Sequence, residues 1–82
     1  MKEIIQALEE IEKNVKGGDR AKIEKAIQSA KSKLSPPTHR LHEELSVWQT
    51  KLDIILKEKA GREGMAKHAR HWVEELRRNS GG

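Results

Sequence analysis

Ile4, Leu8, Ile11 and Val15 follow one another at intervals of four, three and four residues, and three further stretches of the chain keep the same helical beat. At about 100° per residue this spacing gathers the apolar side chains into one stripe on each helix, and such a stripe is stable only when another covers it. The first stretch, residues 2–16, stops at Gly17-Gly18, the residue type that most readily leaves a helix. Asp19 is a natural N-cap for residues 19–34, where Ile23, Ala26, Ile27, Ala30 and Leu34 form a narrow stripe. So many alanines predict close approach to the neighbouring helices. Ser35-Pro36-Pro37 ends this piece and opens the next, because proline is tolerated in a first helical turn. Residues 37–60 then carry the widest apolar face, Leu41, Leu45, Trp48, Leu52, Ile55 and Leu56. Gly61-Arg62-Glu63-Gly64 is predicted to break that helix, and residues 64–78 turn Met65, Ala66, Ala69, Trp72, Val73 and Leu76 inward.

The pattern predicts an all-α fold, an up-and-down antiparallel four-helix bundle with helices at roughly 2–16, 19–34, 37–60 and 64–78. Helices one and two form one hairpin, and helix three pairs with helix four. The alternative is a three-helix core with a loosely docked first helix. Residues 1–78 form a single domain and 79–82 a flexible tail or added linker. The regular stripes and the Gly81-Gly82 end also fit an engineered or designed bundle. A chain of 82 residues buries only about 60–65% of its unfolded surface, so no large internal active site is expected.

Several chemistries are excluded. Without cysteine there is no disulfide framework, thiolate zinc site or thiol nucleophile. The start, Met1-Lys2-Glu3, opens no apolar signal core, and the longest strong apolar run, Ile54-Ile55-Leu56, is far too short to span a membrane. A soluble protein is expected, cytoplasmic by default, with no membrane partner. Ser29, Ser32, Ser35 and Ser46 fall on helices or at a cap, away from the strained turn a serine nucleophile requires. Glu9-Glu10, Glu43-Glu44 and Glu74-Glu75 are adjacent pairs whose side chains diverge on a helix, and they read as solvated faces with partners such as Lys13 for Glu9 and Arg78 for Glu74. No enzyme activity and no cofactor are expected. Gly61-Arg62-Glu63-Gly64 resembles the Gly-x-x-Gly loop with which KH domains clamp a nucleic-acid backbone, yet no segment alternates as a strand and Glu63 opposes phosphate. It reads as a turn.

Two His-x-x-His pairs, His39/His42 and His68/His71, have half of a zinc site each. A turn at Gly61 would set residue 68 beside residue 54, about 20 Å along the bundle from the first pair, so no metal site closes within one chain. A metal bridging two copies through histidines is the third functional reading.

Charge gives the second. Residues 19–34 hold five basic and two acidic groups, and Lys22, Lys25 and Lys33 present a track for phosphates or an acidic partner, although no exposed aromatic side chain accompanies it for base stacking. The first reading comes from apolar residues on the wet side. Val47 and Ile54 lie off the main stripe of helix three with Thr50 between them, and exposed β-branched residues on a helix gain nothing unless something covers them. With His68 and His71 expected at the same height, they outline a face for a protein partner or a second copy. The leading expectation is a non-enzymatic helical-bundle module for protein–protein interaction or self-association.

Overall fold

The computed structural model describes residues 2–34 and 40–79. Among them four helices follow in order: α1 (Lys2–Gly17), α2 (Arg20–Lys33), α3 (Arg40–Lys57) and α4 (Lys59–Asn79). Polar contacts across the seams fix their directions. Glu3 meets Lys33, Gln49 meets Lys31, Glu44 meets Trp72, and Glu9 meets Arg77. Successive pairs run in opposite directions along the two helices, Lys31–Gln49 and Arg20–Asp53 between α2 and α3, Glu9–Arg77 and Glu12–Arg70 between α1 and α4, so the bundle is antiparallel and runs up and down. Its helices form a ring in which α1 lies between α2 and α4, and α3 closes the far side.

The core is the sum of the four stripes. Leu8, Ile11, Val15, Ile23, Ile27, Leu41, Leu45, Leu52 and Val73 are buried, with Trp48 between α3 and its neighbours. Far from being loosely docked, α1 has the most extensive seams in the molecule, one with α2 and one with α4. The α3–α4 pairing forms as expected and is among the slighter contacts. Side-chain size explains the difference. Ala7, Ala26, Ala30, Ala66 and Ala69 are all buried on α1, α2 and α4, whereas α3 has no alanine and holds its neighbours off with leucines and a tryptophan.

The ends of α1 and α2 form as their sequences dictate. Gly18 takes a left-handed conformation, φ 71°, which a side chain would strain. Its N–H donates to Val15 O and that of Asp19 donates to Asn14 O, each at 3.1 Å, satisfying carbonyls left open at the end of α1. The Asp19 carboxylate then accepts from the Lys22 N–H at 3.2 Å. Asp19→Ala should lower stability by about 1 kcal/mol, read as a drop in the urea midpoint; an unchanged midpoint would show that water replaces this cap without loss.

Two boundaries depart from expectation. Gly61 to Gly64 do not interrupt a helix: α3 ends at Lys57, Glu58 alone connects it to α4, and both glycines lie in the opening turns of α4. The corner is held from the side, since the Arg62 guanidinium donates to Leu56 O at 2.7 Å. Gly61 packs so tightly on α3 that a Cβ there would overlap the Ile55 carbonyl. The second departure is a kink, with Lys51 non-helical at φ −103°, ψ 15°. Just before it the Ser46 hydroxyl donates to His42 O and the Thr50 hydroxyl to Ser46 O, both at 3.0 Å, a back-bonding that bends helices. Ser35-Pro36-Pro37, His39 and residues 80–82 lie outside the described residues; Asn79, expected to begin the tail, is the last residue of α4.

Candidate functional site

Because α3 stands off, the α3–α4 seam is open on its outer side as a groove of about 550 Å³. Val47, Trp48, Ile55, Met65 and Trp72 supply its apolar lining, and Arg40, Glu43, Glu44 and His68 its polar border. The Lys51 kink lies between Val47 and Ile55 and breaks α3 into two segments, both of which contribute to the lining. Glu44 organises the border. It accepts from the Trp72 indole N–H at 2.9 Å, and its same oxygen is 3.6 Å from His68 Nδ1. Trp72, expected to anchor the core, is half-buried at this edge, and Trp48 is the indole in the core, 6% exposed.

Of the partner-binding candidates, the structure brings Val47 and His68 into this groove and leaves Thr50, Ile54 and His71 outside its lining. Register is the reason. With the turn at Glu58, Glu44 faces His68 and Trp72, so His68 stands some ten residues from the position beside Ile54 that a turn at Gly61 implied. Val47 is 50% exposed and Ile54 71%. They are the exposed large apolar residues among those described, and both belong to α3. The same register sets His42 of the first pair two positions from Glu44, close to the level of His68, where a turn at Gly61 implied about 20 Å; His39 lies outside the described residues. Among the described residues no three His, Cys, Asp or Glu side chains stand close enough to hold a metal ion.

The basic track of α2 has company. Lys22, Lys25 and Lys33 border the α1–α2 groove together with Glu3, Glu9 and Glu10. Lys33 pairs with Glu3 at 3.5 Å and Lys22 with Asp19 at 3.9 Å. Three lysines therefore face three glutamates, and the local surplus disappears. The other expected ion pairs also change partners. Glu9 binds Arg77 across the α1–α4 seam at 2.9 Å, and Glu74 binds Arg70 at 3.6 Å.

The basic surplus is found elsewhere. Lys16 of α1 and Lys59, Arg62, Lys67 and Arg70 of α4 surround a groove of about 540 Å³ floored by Ala66, with Glu12 and Glu63 as its acidic lining among the described residues. Counting charge by segment missed it, because a boundary at Gly61 divides Lys59 from Arg62, Lys67 and Arg70, and Lys16 joins them only through the fold. The signal was present: positions 59, 62, 63, 66, 67 and 70 form a single helical stripe once α4 begins at Lys59.

The serine hydroxyls of α2 and α3 are committed to the backbone or exposed. The Ser32 hydroxyl donates to Ser29 O at 2.9 Å, as Ser46 does to His42 O. Compared with known proteins, the chain matches no family model, no curated protein and no solved structure. No helix among the described residues is long and apolar enough to cross a membrane.

Proposed function

We propose that the chain is a non-enzymatic helical-bundle module that takes up the apolar face of a partner protein's amphipathic helix in the α3–α4 groove. The open groove itself carries this reading. Its floor of Val47, Trp48, Ile55, Met65 and Trp72 with a border of Arg40, Glu43, Glu44 and His68 matches the division of an amphipathic helix into an apolar stripe and flanking charges. An aromatic and methionine lining is typical of contact surfaces that adapt to a partner. The Glu44 contacts to Trp72 and His68 hold the border in place before anything binds, which lowers the ordering cost of association.

Trp48 and Trp72 line the groove and report its occupation directly. Titration with a Leu/Lys model amphipathic helix should shift the indole emission, and Val47→Lys should abolish the shift while leaving helicity intact. The occupant is a second copy of this chain if sedimentation shows a dimer that Val47→Lys with Ile54→Lys turns into a monomer. An emission unchanged by the model helix, together with one sedimenting species at all concentrations for parent and double variant alike, would rule out the reading.

The binding of nucleic acid or an acidic partner by Lys22, Lys25 and Lys33 remains the second reading, and the glutamates opposite those lysines count against it. A metal bridge between copies through His68 and His71 is the third; both side chains are exposed, and a zinc-dependent mass is its test.

A further inference from the structure

We propose that the basic groove between α1 and α4 is a binding site for a small anion bearing two or more phosphate groups. Five cations and two carboxylates line it, so its surplus of three accounts for most of the formal +4 of the whole chain. Carboxylates meet two of the five cations: Glu12 is 3.8 Å from Arg70, which Glu74 also approaches at 3.6 Å, and Glu63 is 3.9 Å from Lys59. Lys16 and Lys67 have no ion-pair partner among the described residues. The hydrogen bond from Arg62 to Leu56 O fixes its guanidinium at the wall of the groove while leaving donors over.

Spacing selects the ligand. Successive positions among 59, 62, 67 and 70 are three to five residues apart, about 4.5–7.5 Å of helix rise, and the outer two eleven apart, about 16 Å, so each cation lies within a Debye length of about 8 Å of its neighbour. Their fields therefore add, but no single phosphate reaches them all. A chain of phosphates does. The first turn of α4, which begins at Lys59, adds no acidic residue to this end of the groove. The facing end of α1 has its carbonyls engaged by the Gly18 and Asp19 N–H groups.

The positive zone is also short. Beyond it the arginines of α4 are already matched by carboxylates, Arg77 by Glu9 at 2.9 Å and Arg78 by Glu75 at 3.9 Å. A long polyanion such as duplex DNA would meet these carboxylates on leaving the groove, whereas a small anion stays among the cations. This site is independent of the α3–α4 groove and stands whether or not that groove binds a helix.

Calorimetric titration of the whole chain with inorganic tripolyphosphate in about 50 mM salt tests the proposal. The expected result is one saturable site whose affinity falls as salt rises. Orthophosphate should bind at least about tenfold more weakly. Lys16→Gln with Lys67→Gln should weaken tripolyphosphate by a similar factor, and Lys22→Gln with Lys25→Gln and Lys33→Gln should change it by less than about twofold. All these side chains are exposed, so helicity should persist, as circular dichroism will show. The site is refuted by absent or unsaturable binding, or by equal losses in the two lysine variants. Tighter binding of a DNA duplex than of tripolyphosphate, lost in the Lys16/Lys67 variant, would refute it equally, by making the groove a nucleic-acid surface.

Discussion

Trp48→Ala should lower the folding stability by about 3–5 kcal/mol, a third or more of what a small domain typically has. The side chain is 6% exposed and belongs to the single core cluster. It also lines the α3–α4 groove, where α3 has no alanine of its own. Because α3 is already the less extensively packed helix, the substitution should loosen α3 before the rest. Urea unfolding followed by circular dichroism gives the overall loss, and hydrogen exchange should place the largest local loss in α3. Trp72→Ala is the comparison. Its indole is half-buried and donates to Glu44, and a loss of about 1–2 kcal/mol is expected from the smaller area and one charge-assisted hydrogen bond. Equal losses for the two tryptophans would mean that the seam is held at its rim, contrary to this account.

Gly61→Ala and Gly64→Ala should shift the melting temperature in opposite directions, although both glycines belong to α4. A methyl group at Gly61 would overlap the Ile55 carbonyl oxygen and stand 3.1 Å from Ile55 C and 3.2 Å from its Cα. These are backbone atoms, unable to swing aside, so the α3–α4 corner must open. A loss of about 1–3 kcal/mol is expected, as for an overpacked core. At Gly64 a Cβ meets nothing within 4 Å, and alanine there should add about 0.5–1 kcal/mol by restricting the unfolded chain and favouring the helix. Thermal unfolding of the two variants decides it. Shifts of the same sign would show that helix propensity, and not the approach of two backbones, governs both sites.

These glycines also explain where sequence reading stopped. The inward stripes were legible because they depend on spacing alone: the expected inward residues on α1 and α2, from Ile4 through Leu34, are buried. Asp19 as a cap was legible for the same local reason. The corner was not. Two glycines three apart signal a break when only local propensity is weighed, yet Gly61 is there because α3 passes close by, a tertiary cause. The true turn, Glu58, has no glycine or proline, and Arg62 secures it through Leu56 from across the corner. Misplacing the turn moved the register, which put His68 beside Ile54 instead of Glu44 and set Val47 beside residue 75 instead of in one groove with His68. It also cut α4 short and hid the stripe of cations that begins at Lys59. The affinity of α1 for α4 was equally silent, because no local pattern distinguishes which of two neighbours a helix will press against.

That last seam sets an order of events. Glu9 and Arg77, which close it, are 68 positions apart, so α1 emerges from the ribosome long before its most extensive partner. The α1–α2 hairpin can form early, with a short connection and little loop entropy to overcome. Its stripe of Leu8, Ile11, Val15, Ile23 and Ile27 then waits uncovered for α4 for a few seconds, at about 5–20 residues per second of synthesis. During that interval the nascent hairpin is an adhesive surface, and a chaperone that shields apolar helices would find its opportunity there and lose it once α4 docks.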